Sequence, residues 1–354
     1  MASIPTKKFF EAIVKAMEEN IDSDAFFNEI LFRLEENERD EIALKSKTGQ
    51  NPGISAKEVL YPLLGKTERQ ILKTALGFSG LSEVQTLSAK ELGKDPYFSL
   101  LSKVEEASLG SIRFGWETLE ANRFFLAGDK RSADEVFHEY SPLGILDEPL
   151  DYPVLEKDGV PWMSLVPHEL LTMKEPIREA KGKVATCGLG LGYFAFSASQ
   201  KEDVSEVHVY ELDPEIIDFF QTRLLPLFPH KEKIVIHQKD AFSYVEDGPY
   251  DFVFVDTYHN ADDGTPQYLR YLALENGKTP VAYWIEGTLL CYFRRAVIYS
   301  LACWGESESF LKEEIPLIYA SWRALKATGI PKNLGRFLSD DGLKEFAQLV
   351  ASKI

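Results

Sequence analysis

An open, doubly wound α/β sheet of mostly parallel strands, preceded by a helical lobe and a small β-element, is the fold class that this sequence predicts. Three observations lead there. Strand-like and helix-like runs alternate from Lys183 onward. Three glycines at alternate positions, Gly188, Gly190 and Gly192, follow directly on the first strand-like run. Before about residue 126 the apolar spacing is helical and strand signals are absent.

Taken in chain order, "FFEAIVKAM" and "AFFNEILFRL" place Phe26, Phe27, Ile30, Leu31 and Leu34 on one face, as an amphipathic helix requires. "SAKE" occurs at Ser55–Glu58 and again at Ser88–Glu91, and each copy reads as a capping box with serine at the N-cap. Between about 141 and 166 the texture turns proline-rich, with "KDG" between short apolar runs, which predicts a hairpin or small β-subdomain. Then come "KVATCGL", "EVHVYEL", "KIVIHQ", "YDFVFVD" and "PVAYWIEG", five strand-like runs separated by helix-like ones. Such alternation implies parallel strands joined by right-handed crossovers. The stretches after Gly287 read as helices. The expected organisation is a helical lobe over 1–140, a β-hairpin and linker over 141–180, and the α/β domain with C-terminal helices over 181–354.

The chain has 354 residues, 45% hydrophobic and 27% charged, which suits a folded protein with a substantial core. No apolar run approaches a membrane span, and the first residues lack the apolar core of a secretory leader, so a cytoplasmic protein without membrane contact is expected. The net charge of −17 repels a phosphate backbone and argues against a broad nucleic-acid interface. A small-molecule substrate, cationic or an amine, suits that surface better. Cys187, Cys291 and Cys303 have no CxxC spacing and read as buried thiols. Self-association to a homo-oligomer is left open.

In an open α/β sheet the ligand lies outside the carboxyl ends of the strands, so the residues at those ends are the candidates. They are the glycine turn, then Glu211, Asp240 and Asp256. An acid at the tip of the second strand is placed to accept hydrogen bonds from a ribose diol, which points to a nucleoside. Tyr193 stands where a dinucleotide fingerprint needs a small residue, and no lysine follows the glycines as a nucleotide-triphosphate loop requires. Asp256, Tyr258 and His259 lie where groups that position or deprotonate a nucleophile belong. The spacing of Asp256, His259 and Asp262 is too loose for a metal site, and none is expected. Glu286, at the tip of the fifth strand, is a further contact candidate. Arg294 and Arg295 read as helix surface, and His208 as structural.

The set "CGLGLG", "VYELDP", "QKDAF" and "YDFVFVD", over roughly 183–287, resembles the class I S-adenosylmethionine-dependent methyltransferases, with their Rossmann-like sheet. The resemblance implies that Gly188, Gly190 and Gly192 approach the methionyl part of S-adenosylmethionine, that Glu211 binds the ribose, and that Asp240 with Ala241 meets the adenine. Backbone N–H groups at the glycine turn are then expected to hold the donor's carboxylate. Methyltransferases usually carry an acid two positions before the first glycine, where this chain has Thr186. Aminopropyltransferases of the spermidine synthase type also lack it, and "ELDPEIIDFFQTRLLPLFP", "DAFSYVEDGPYDFVFVD" and "PHELL" resemble them. In those enzymes the fourth-strand aspartate, here Asp256, helps deprotonate the attacking amine. The expectation is methyl transfer from S-adenosylmethionine to a small acceptor; the alternatives are aminopropyl transfer to an amine and a non-catalytic nucleoside-binding protein.

Overall fold

The computed structural model describes residues 7–48, 51–78, 84–312 and 316–353. The chain opens with four helices, α1 (Lys7–Glu29), α2 (Glu36–Lys47), α3 (Pro52–Leu60) and α4 (Lys66–Phe78). On α1 the buried residues Ile13, Met17, Asn20, Ser23 and Phe27 recur every three or four positions, so one stripe faces the protein. Phe26, Phe27 and Leu31 share a core with Ile42, Val59 and Leu72, and with Leu143 and Ile145 of a following strand. The first "SAKE" is not a capping box: Asn51 caps α3, Pro52 takes its first position, and Ser55 lies inside it with its hydroxyl on Asn51 O. Ser88 does sit at an N-cap, but without a side-chain cap bond.

Strand structure begins well before the proline-rich stretch, at Gln85, and is more than a hairpin. β1 (Ile112–Leu119), β2 (Leu150–Lys157) and β3 (Val160–Ser164) form the body of an antiparallel sheet. The pairing runs from Ile112 opposite Lys157 to Leu119 opposite Leu150. Because the two strands are remote in sequence, their pairing leaves no local mark beyond the alternation of Ile112, Phe114 and Trp116. Helix α5 (Pro167–Glu179) leads from β3 into the α/β part.

That part contains the strands β4 (Gly182–Cys187), β5 (Val204–Glu211), β6 (Ile234–Gln238), β7 (Phe252–Val255) and β8 (Val281–Tyr283). All four neighbour pairs are parallel, in the order β6-β5-β4-β7-β8. This is the doubly wound, Rossmann-like arrangement that the alternation implied. The connecting helices include α6 (Tyr193–Ser199), α7 (Pro214–Phe219), α8 (Ala261–Leu274) and α9 (Glu286–Ala302), and the chain ends in α10 (Pro316–Thr328) and α11 (Asp340–Ala351). The central strands are apolar on both faces because both faces are covered: Val184–Cys187 and the whole of β7 are buried. Phe194 of α6 stacks on Phe254 of β7 with ring centroids 4.3 Å apart, a pairing that contributes about 1 kcal/mol beyond area burial. The strand order reverses between β4 and β7, and that switch point leaves a crevice at their carboxyl ends. Among the described residues no helix is long and apolar enough to cross a membrane.

Candidate active site

The crevice is a cavity of about 320 Å³, and the strand tips deliver its walls. Gly188, Leu189 and Gly190 come from the turn after β4, Glu211 and Leu212 from β5, Asp240, Ala241 and Phe242 from the turn after β6, and Asp256 to His259 from the end of β7. Trp162 and Met163 of β3 line it from above the sheet.

Two of the three turn glycines are required by neighbouring atoms. A Cβ on Gly188, where φ is 96°, would sit 1.9 Å from the carbonyl oxygen of Asp256, so only glycine lets the tips of β4 and β7 come together. At Gly192, φ 80°, a Cβ would meet the ring of Phe220 at 2.4 Å, inside the core and away from the cavity walls. Gly192 therefore serves helix packing. Gly190 faces Met163 across the cavity.

Glu211 accepts three backbone hydrogen bonds, from Leu189 N at 3.2 Å and from Leu212 N and Asp213 N at 2.8 Å each. A carboxylate has about four in-plane acceptor positions, so one is left for a ribose hydroxyl and the long Leu189 bond is the one a second hydroxyl would share. Burial pushes its pKa up despite those three bonds. Asp240 caps the short turn that follows through Phe242 N at 3.0 Å, and its side chain is otherwise exposed to the cavity. Phe242 lies between Tyr271, with ring centroids 4.2 Å apart, and the Arg270 guanidinium, 3.9 Å from its centroid, so both faces of its ring are covered.

Asp256 is the chemically unusual residue. Its carboxyl lines the cavity, makes no hydrogen bond or ion pair among the described residues, and is pushed by burial up to about 7. Close enough to interact electrostatically is Glu169, from the first turn of α5, a residue that the sequence reading did not single out. Glu169 is likewise unpaired, and burial together with the charge of Asp256 raises its pKa well above the ordinary carboxylate range. Beside it His168, whose Nδ1 bonds Leu126 O at 3.2 Å, is held neutral, its pKa lowered by burial to about 4. The signal in the sequence was "PHELL", two ionisable residues at an amphipathic helix start directly after proline.

The other candidates are placed less centrally. Tyr258 lines the cavity, but its hydroxyl donates to Trp284 O at 2.6 Å, and burial raises its pKa well above the usual phenol value. His259 is exposed, packs edge-on against Trp162 and lies 3.2 Å from Asp263 through Nδ1. Asp263, rather than Asp262, is thus its partner, and no group of three His, Cys, Asp or Glu side chains among the described residues is arranged to hold a metal ion. Glu286 is outside the cavity, bonded to Tyr268 and Lys344. Arg294 and Arg295 are not helix surface: Arg294 is buried against Leu338 O and Asp340, and Arg295 pairs with Asp24 and Glu139. His208 stacks on His237 and bonds Glu206.

Electrostatically the cavity is one-sided. Its walls carry Glu211, Asp240 and Asp256, and among the described residues no Lys or Arg lines it. Three of the turn's N–H groups are taken within the fold: Gly188 N bonds Tyr210 O, Leu189 N bonds Glu211, and Gly192 N bonds Leu189 O. Gly190 N, Leu191 N and the first-turn N–H groups of α6 make no such bond among the described residues.

No protein-family model matches the chain, and comparison with curated proteins gives no match. Among solved structures, two crystal structures of spermidine synthase align over 54% of this chain and 71% of their own, both with a TM-score of 0.30. One is the enzyme from Thermotoga maritima, 14% identical, and the other is in complex with the transition-state analogue AdoDATO, 12% identical. At that level of likeness, function has to be read from the residues of the site.

Proposed function

We propose that this chain is a transferase that moves an aminopropyl group from decarboxylated S-adenosylmethionine to an amine. The observation that carries the reading is a pair of half-buried carboxyls with no partner among the described residues: Asp256 lines the cavity, whose described lining has no Lys or Arg, and Glu169, close enough to interact with it, lines the adjoining one. An ammonium group is what such a pair lacks. A donor that kept its carboxylate would meet Glu211, Asp240 and Asp256 with no Lys or Arg in the described lining, so methyl transfer from S-adenosylmethionine, the expectation drawn from the glycine motif, is less well served.

The assignments follow the walls. Glu211 holds the ribose, Asp240 and Ala241 meet the adenine edge, and the Gly188–Gly190 turn borders the sulfur. The acceptor nitrogen attacks the methylene carbon bound to the sulfonium; the C–N bond forms, the C–S bond breaks with its electron pair going to sulfur, and methylthioadenosine leaves. The proton lost by the amine goes to Asp256, whose pKa near 7 suits a base that works at neutral pH. Glu169 attracts the acceptor while its nitrogen is still an ammonium, and the nitrogen attacks once that proton has gone to Asp256. Tyr258 and His259 shape the wall.

Mass analysis of the spent nucleoside tests this directly. Supplied with both donors and a mixture of amines, the protein should yield methylthioadenosine, and it should bind methylthioadenosine at least about tenfold more tightly than S-adenosylhomocysteine, a gap of about 1.4 kcal/mol. S-adenosylhomocysteine as the product, or the reverse order of affinities, would restore methyl transfer.

A further inference from the structure

A second cavity, of about 390 Å³, meets the first at His259, which lines both. Glu169 and Trp284 stand at its inner end, and helix α1 supplies a wall with Asp24, Phe27 and Asn28. We propose that this second cavity holds the acceptor and that α1 sets how long an amine chain it takes. The inference rests on the amine-acceptor reading above and adds to it a specificity-determining role for the helical lobe.

A wall can measure a ligand only if it is fixed, and α1 is tied down by buried polar contacts. Asn20 donates to Phe137 O and accepts from Glu139 N, both at 2.9 Å. Asp24 bridges Lys130 and Arg295, each of which also pairs with Glu139. Two cations and two carboxylates balance within that network, so it holds the helix without adding net charge to the cavity.

Besides the exposed Asp262, what remains without a cation partner in the described lining is Glu169, at the inner end. Beyond it Phe27, Phe32 and Tyr292 present apolar and aromatic surface, and Asn28, which is exposed, marks the outer opening. A cationic nitrogen followed by a methylene chain matches that succession, and aromatic faces suit ammonium groups along the way. The volume is of the size that houses a drug-like ligand, more than the reacting amine alone needs. Ile285, another lining residue, is held in the left-handed region at φ 47°, a strain that a β-branched residue tolerates only where its surroundings impose it.

The test is titration calorimetry of the full chain, saturated with methylthioadenosine, against unbranched α,ω-diaminoalkanes of four to twelve carbons. In the wild-type chain affinity should rise by about fourfold per added methylene until the cavity is filled, and then level off. Asn28→Trp narrows the outer opening at an exposed position and should move that plateau to shorter chains, leaving the shortest diamines unaffected. Phe27→Leu, on α1 itself, should move it to longer ones. A plateau that neither folded variant shifts, or affinity independent of chain length, overturns the role of α1 while leaving amine binding intact. If no diamine binds although methylthioadenosine does, the amine-acceptor reading falls and this inference with it.

Discussion

Replacing Asp256 by asparagine should make the ligand-free protein more stable, and more so as the pH rises. Burial lifts this carboxyl from its ordinary 3.8 to about 7. A shift of that size separates the two protonation states by about 4 kcal/mol, and water in the cavity screens it to about half, roughly 2 kcal/mol. The folded-state pKa lies above the unfolded one, so the folded protein binds the extra proton and ionisation opposes folding. Below the unfolded value both states are protonated and the carboxyl contributes nothing. Between that value and about 7 the penalty grows, and above about 7 it is complete. Asparagine keeps the shape without the charge. With an unfolding entropy of about 2.1 cal/mol/K per residue, 354 residues convert 2 kcal/mol into roughly 3 °C of Tm. Thermal unfolding followed by circular dichroism from about pH 4.5 to about pH 8 should show the variant's advantage appear and then level off. An advantage that does not depend on pH, or an Asp256→Asn protein that melts below wild type, would show that the carboxylate has a stabilising partner and would refute the argument from an unpaired buried charge.

Amine binding should carry the opposite dependence, because an ammonium stabilises an ionised carboxylate: through Asp256, affinity for a diamine should rise by up to about tenfold per pH unit as pH approaches about 7, and a flat profile by calorimetry would count against Asp256 as its site. Glu211→Ala should weaken methylthioadenosine binding by about 1 to 3 kcal/mol through lost charge-assisted hydrogen bonds, and unchanged affinity would remove Glu211 from the nucleoside site. Gly188→Ala should cost about 3 kcal/mol or more in urea unfolding, since its methyl collides with Asp256 O, whereas Gly190→Ala, whose nearest neighbour is the flexible Met163 at 3.3 Å, should cost about 1 to 2 kcal/mol for the left-handed backbone; equal costs would mean that the strand tips can separate.

Much of the α/β part was legible because its signals are local. A strand buried on both faces reads as a continuous apolar run, a half-buried helix as a 3.6-residue stripe, and the residue at the end of each strand run is the one aimed at the crevice; this is how Glu211, Asp240 and Asp256 could be listed in order. The glycines could be read as a turn by the same logic. Which neighbour demands each of them was decided only by folding, which sets Gly188 against Asp256 and Gly192 against Phe220. The pairing of Ile112–Leu119 with Leu150–Lys157 was likewise invisible, since a β-ladder between remote segments has no periodicity that spans both. So was Ser55, where Asn51 and Pro52 begin the helix earlier than the serine would. Glu169 is the instructive case. By itself it is an ordinary acid in the first turn of a helix, where the helix dipole would keep it ionised; "PHELL" marks two ionisable residues at a helix start but not that they are shielded from water. Its chemistry comes from burial and from Asp256, which the chain brings near from the far side of three strands, and a proton affinity set by solvent exclusion and through-space charge belongs to the tertiary structure, not to any stretch of sequence.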